Sequence, residues 1–297
     1  MDGGSGRGAL VAFFVGGLLA AGNPISVKFS NLELDPFWGA TVRFALAAAL
    51  MLTVMAALRL PFPRGRALLG AVLYGTVNFG LAFACLFYAL VELGAGFLQV
   101  LLGVVPLTAL LLAVAQRQER LRAPAVIGSL LAFIGVLLMS RVALGDATSI
   151  VSILVAMAAA LCLAEGAVLV RIFPPEHPVT LNAVGMTVGA VILFIGSLIA
   201  GDSLKMPTLE ATWLAMAYMV VIGSGILFVL WVYVLKRWDA SRAAYNFVLT
   251  PPIAVLFSYW LLDEEVGIEL VFGGALILVG VYIGALRRQT PLVDAPV

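Results

Sequence analysis

ASRAAYNFVLTPPIAVLFSYWLL, residues Ala240–Leu262, is an apolar run long enough to cross a membrane, broken near its middle by Thr250-Pro251-Pro252 just after the polar Tyr245-Asn246. Gly94–Ala115 is its near twin, with Pro106 in the corresponding place. Sliding the chain against itself by 145 residues pairs Tyr88 with Tyr233, Ala95 with Ala240, Pro106 with Pro251, Glu119 with Glu264, Gly128 with Gly273, Gly135 with Gly280 and Val136 with Val281. One unit has been used twice. A proline deep in a spanning helix frees carbonyls one turn earlier, here those of Leu102, Phe247 and Val248, and lipid cannot satisfy them. Such bends are tolerated beside protein or a wet cavity, so both helices are expected to line a central cavity.

Working outward, the 297 residues are 63% hydrophobic and only 11% charged, against roughly half and a quarter in soluble domains. The chain is an all-α integral membrane protein. A span takes about 20 mostly apolar residues. Ten are read, at 9–29, 36–58, 67–91, 94–115, 124–141, 148–171, 179–200, 209–235, 240–262 and 266–286. Arg7, the apolar run after it and Ala20-Ala21-Gly22 have the outline of a cleavable signal peptide, but removing them leaves nine spans, and Leu10-Val11-Ala12 has a counterpart in Leu154-Val155-Ala156.

Five spans per half is an odd number, so the second copy enters the membrane from the opposite side. The expected domains are a first repeat at 1–145, an inverted second repeat at 146–288 and a cytoplasmic tail at 289–297. With the N-terminus inside, 13 of the 17 basic residues fall on the inner face, so the positive-inside rule selects N-in and C-in. Inverted repeats are the architecture of many secondary transporters, with the site near the midplane at the repeat interface.

Lys28 and Arg43 lie within spans toward the outer face. They either snorkel and pair locally with acids such as Glu33 and Asp35, or they recognise a substrate carboxylate. With Pro178 opposite Pro36, Gly185 faces Arg43, so this cation is not duplicated. Asn78 needs a partner on another helix or in a cavity. Glu165, the carboxylate placed well inside a span, is a proton site or a structural hydrogen-bond acceptor. Span ten carries a GxxxG at Gly280 to Gly284, and span five Gly128 and Gly135, for packing on each other or for a homodimer. With one histidine, His177, and two cysteines inside spans, neither a metal site nor a disulfide is indicated. Paired acids, histidines or an activated nucleophile that an intramembrane enzyme would need are missing.

The duplicated unit, Pro36 followed by Arg43, Lys28 ending span one, and the run from Glu264 through Gly273-Gly274 to Gly280-Val281 together resemble the drug/metabolite transporter superfamily. The chain is similar to EamA-type ten-helix carriers, and most similar to YddG-type amino-acid exporters. It departs from their first span in reading Ala21-Gly22-Asn23-Pro24. The resemblance implies a basket of helices around a central cavity, with the hairpins of spans three/four and eight/nine as gates, and export of amino acids, aromatic ones especially, or of other metabolites. The expectation is an inner-membrane exporter working by alternating access, with a cavity lined by Asn23, Asn78, Tyr88, Gln99, Trp231, Tyr245 and Asn246 and hinges at Pro24, Pro106, Pro251 and Pro252. Multidrug or other metabolite export is the competing reading, and a channel a remote one. The expected partners are a small-molecule substrate and the lipid bilayer, with no cofactor and no nucleic acid.

Overall fold

The computed structural model describes residues 3–93, 98, 101–139, 150–253 and 268–286. Gln99, Glu264 and the 289–297 tail lie outside the described residues. Helix is present in all ten segments read from the sequence. Six of the described helices are long and apolar enough to cross a membrane: Arg7–Ser30, Pro36–Ala57, Arg66–Leu90, Ile150–Ile172, Pro178–Ala200 and Glu210–Leu235.

The helices are interrupted where the sequence removes a donor. Span one is Gly3–Ala21 followed by Asn23–Ser30, with Gly22 at the joint and Pro24 in the first turn of the second piece. Proline lacks an N–H and disfavours a helical residue before it, so the ladder stops there. The Leu19 carbonyl, at the end of the first piece, accepts from the Tyr218 hydroxyl at 2.8 Å. Gly22 is required for that contact, since a Cβ there would sit 2.2 Å from the same hydroxyl. Span four resumes as Val105–Ala115 with Pro106 in its first turn.

Span nine behaves differently. It is helical over Ala240–Ala244, turns at Tyr245, and is helical again over 246–253, straight through Pro251 and Pro252. The interruption lies at Tyr245 because that residue is held from outside: its hydroxyl donates to the Ala125 carbonyl at 2.9 Å and lies 3.0 Å from Ser129 Oγ. The Thr250 hydroxyl bonds back to the Asn246 carbonyl at 2.9 Å, a contact that bends a helix without ending it.

Spans three and eight each change pitch in the middle. Gly75–Leu81 and Val221–Ile226 are π-helical, and they are equivalents under the same 145-residue shift that relates the two halves of the sequence. A π segment widens the ladder and leaves carbonyls turned away from their usual donors, which is why such segments gather at functional sites.

Spans two and seven pack along one another, as do spans five and ten. In the second pair Gly128 lies on Gly280 and Gly284, while Gly135 lies on Gly273. The two helices are therefore antiparallel, and each contact exchanges residues that are equivalent in the repeat. The Gly280 to Gly284 motif is consumed within the chain. A Cβ on Gly280 would stand 2.6 Å from the Gly128 carbonyl oxygen and 2.7 Å from the Ala132 nitrogen, both main chain, so the helices would have to part. At Gly274 the nearest obstacle is 4.0 Å away. Gly280→Ala is expected to destabilise by about 1–3 kcal/mol, as overpacking does, and Gly274→Ala not at all. Thermal unfolding of the two variants in one detergent compares them directly.

Candidate functional site

The polar centre of the described structure is Arg43. Pro36 starts span two and Arg43 follows two turns later, on the face turned to spans one and eight. Its side chain is buried, 4% exposed. Nε donates to Ser224 Oγ at 2.9 Å, and Nη2 donates to the Gly223 carbonyl at 3.0 Å and to Asn23 Oδ1 at 3.3 Å. Nη1 has the Met219 sulfur, at 3.8 Å, as its acceptor. The guanidinium carbon also stands 5.2 Å from the Phe44 ring centre and 5.7 Å from that of Phe83.

Two local features make this possible. The π segment at Val221–Ile226 presents the Gly223 carbonyl sideways, and the break at Gly22 puts Asn23 at the first position of a new helix, aimed at Gly223. A Cβ on Gly223 would lie 2.0 Å from Asn23 Oδ1. In the other half the corresponding surface is filled by main chain. There Gly185 of span seven packs on Gly75, where an added Cβ would meet the Gly185 carbonyl at 2.5 Å. The symmetric frame thus holds a guanidinium on one side and two bare glycines on the other.

Beside Arg43 lies a crevice lined among others by Val27, Ser30, Gly39, Phe87 and Met219, with room for about one water molecule. The remaining candidate residues are distributed as follows. Asn78 is buried on the π segment of span three, with Nδ2 3.5 Å from the Tyr74 hydroxyl and its side chain against Gly166. Asn246 donates to the Phe13 carbonyl at 2.9 Å. Trp231 is buried edge-to-face with Phe247, ring centres 5.5 Å apart. Tyr245 is fully buried in the bonds to Ala125 and Ser129. Tyr88 is 46% exposed, and Pro24 and Lys28 are exposed too. Pro106, Pro251 and Pro252 are buried. Glu165 Oε2 accepts from Gln116 Nε2 at 2.7 Å. The structure joins Asn23 to Arg43 and sets Asn246 on span one, but the described residues do not enclose all these side chains around one cavity.

Each end of the bundle is tied by charged side chains. At the end carrying Glu119, that carboxylate accepts from both the Ser241 amide and the Ser241 hydroxyl, capping the start of span nine. Arg122 bridges Glu119 at 3.5 Å and Asp239 at 3.0 Å. Arg171, ending span six, pairs with Asp239 at 3.6 Å and donates to the Trp238 carbonyl. Arg242 stacks on Trp238 and donates to the Ala285 carbonyl at 2.8 Å. Sequence reasoning counted these arginines only for sidedness. The recurrence of Glu119 as Glu264 was the available signal that the position matters.

At the opposite end Asp35 accepts from the Ser203 amide and hydroxyl at 2.7 and 2.6 Å, and the Trp38 amide donates to Asp202 at 2.8 Å. Glu33 accepts from the hydroxyl and amide of Thr208 and from the Leu209 amide. These donors favour the charged forms. The Thr208 hydroxyl above all holds Glu33 down to about 2, and Ser203 holds Asp35 below the usual carboxylate range.

A model of the EamA-like transporter family matches residues 7–141 and again 150–285. An uncharacterized transporter of Archaeoglobus fulgidus is 24% identical over 270 residues, 89% of this chain and 93% of that protein. A second from the same organism is 27% identical over 283 residues, 92% and 95%. The uncharacterized transporter YyaM of Bacillus subtilis is 26% identical, with 86% of each chain covered. A solved crystal structure shares the fold with a TM-score of 0.77 at 19% identity, covering 94% of this chain and 96% of that one.

The Glu33 cluster gives a pH dependence. A carboxylate whose pKa is depressed on folding contributes stability above its unfolded value, about 4.5 here, and loses it as pH falls toward its folded value near 2. Glu33→Gln is expected to unfold at a lower temperature than the parent at neutral pH. The gap should narrow steadily between about pH 4.5 and 2, as a pH series of melting curves will show.

Proposed function

The chain belongs to the EamA-like transporter family, and on that premise we propose that it is a secondary carrier exporting amino acids, aromatic and other neutral ones favoured, across a bacterial-type inner membrane by alternating access. The observation that carries this reading is the pair of π segments at equivalent depths of spans three and eight. One bears the buried Asn78, and the other offers the Gly223 carbonyl to a buried guanidinium. Polar groups at that depth suit a solute path, because lipid gives them no partners. The aromatic rings around them, Phe44, Phe79, Phe83 and Phe228, suit an apolar side chain.

The repeats are read as 1–145 and 146–288, inverted, with both termini and the Glu119 network on the cytoplasmic side. The antiparallel exchange of glycine contacts between spans five and ten supports the inversion. The hairpins of spans three/four and eight/nine are read as the gates. Pro106 stands at the start of the resumed helix of span four, the bend of span nine is at Tyr245 and not at Pro251 or Pro252, and Pro24 marks the break in span one. Asn23, Asn78, Tyr88, Gln99, Trp231, Tyr245 and Asn246 are the residues proposed to meet substrate during the cycle. Multidrug or other metabolite export is the competing reading, favoured by the predominance of rings over charges around the centre.

Purified protein in proteoliposomes tests both. Saturable flux of labelled phenylalanine, competed by other neutral amino acids and not by cationic drugs or nucleotide sugars, is expected; the reverse pattern of competition would give the protein to the second reading. Glu165 is held by Gln116, and a glutamine can keep that hydrogen bond. Glu165→Gln is therefore expected to leave downhill flux largely intact, and its loss in a normally folded variant would assign Glu165 to proton coupling.

A further inference from the structure

The partners of Arg43 are a hydroxyl, an amide oxygen, a peptide carbonyl, a thioether and two aromatic rings. Every one is neutral, and among the described residues no carboxylate lies within ion-pair distance of it. An ion taken out of water is strongly penalised, and neutral partners leave its full charge in place. At the end of the bundle Arg122, by contrast, is matched to an acid, Asp239. The missing element is an anion, and the geometry shows where it would enter. The fork is fixed at Nε and Nη2 by strong acceptors, while Nη1 has only the Met219 sulfur. Met219 and Arg43 line the same crevice, between the end of span one, the start of span two and span eight. A thioether is a weak acceptor on a flexible stem, so it yields readily to a better one.

We propose that Arg43 receives the carboxylate of the substrate, which displaces the Met219 sulfur from Nη1 and leaves the bonds to Ser224, Gly223 and Asn23 in place. This deepens the amino-acid reading above and rests on it for the identity of the substrate. The crevice admits about one water-sized sphere as it stands, so the carboxylate enters as Met219 swings away, with Phe87 in position to meet an apolar side chain. The other half has Gly185 on Gly75 in place of a guanidinium, so the carrier has one such seat and not two.

The test uses the full chain in proteoliposomes with three labelled solutes: phenylalanine, phenylalanine amide, and 3-phenylpropionate, which keeps the carboxylate and lacks the amine. The parent protein is expected to carry phenylalanine at least about tenfold faster than the amide, since a site built to bond a group rejects the analogue without it. Arg43→Gln is expected to erase that preference. Arg43→Lys, which keeps the charge and loses the fork, should raise KM for phenylalanine while retaining the preference. Should Arg43→Gln fail to fold, the acid-to-amide ratio of the parent and the KM of Arg43→Lys still decide. Equal flux of phenylalanine and its amide in the parent, or an unchanged ratio in Arg43→Gln, would overturn the carboxylate seat and leave amino-acid export standing. Flux of 3-phenylpropionate alone, abolished by Arg43→Gln, would leave the seat standing and overturn the amino-acid reading.

Discussion

Inside a membrane a peptide carbonyl that is not satisfied by its own helix has no water to turn to, and the fold is organised around donors brought to carbonyls from other spans. The Tyr218 hydroxyl reaches Leu19, the Arg43 guanidinium reaches Gly223, Asn246 reaches Phe13, Tyr245 reaches Ala125 and Arg242 reaches Ala285. Each bond joins two different spans. The accepting carbonyl lies beside a helix break at Leu19 and inside a π segment at Gly223 and at Ala285, and a fourth donor, Tyr245, is itself the break of span nine. At Leu19, Gly223 and Ala285 the departure from regular helix and the long-range polar contact are one feature. A bend opens a carbonyl, and the side chain that closes it fixes where the neighbouring helix must lie.

The duplication sets a symmetric background against which single residues stand out. The glycines of spans five and ten obey the repeat, since equivalent positions exchange across their contact. The π segments of spans three and eight obey it as well, while that of span ten, Tyr282–Leu286, has no π counterpart among the described residues of span five. Span two does not: its guanidinium enters the groove of span eight, where span seven puts Gly185 against Gly75. Chemistry placed once in a frame built twice sets Arg43 apart from the scaffolding, and the family model matches both halves of that frame.

Much of this was legible in the sequence, for a physical reason. Apolar length reports spans, and prolines and glycines recur at a fixed offset because backbone constraints recur, so spans, repeat and the pairing of spans five and ten could be read. Pitch could not. A π turn inserts its extra residue within a span, and although Gly75, Thr76, Asn78 and Gly80 stand out in Gly75–Leu81, no residue type or period there dictates that insertion. Tyr88 shows a second limit: an aromatic stripe facing lipid and one facing a cavity look alike in sequence, so the 46% exposure of this residue could not be read from spacing. Span nine shows a third. Pro251 and Pro252 drew attention as the break, yet the chain turns at Tyr245, whose side chain is tied to span five by contacts that no local pattern records.

The ties on the first turns of span nine have a consequence for how it can move. Glu119 holds its start, Asp239 just before it holds Arg122 and Arg171, Arg242 holds the end of span ten, and Tyr245 is bonded to span five. Four segments of the chain thus grip five consecutive helical residues and their neighbour. Releasing one grip gains little while the others hold, because the remaining bonds still fix the first turn of span nine. The cheapest departure is for all to let go together. Under the alternating access proposed above, such an arrangement passes between two states abruptly, with few partly opened forms between them, and this end is shut or open and seldom ajar.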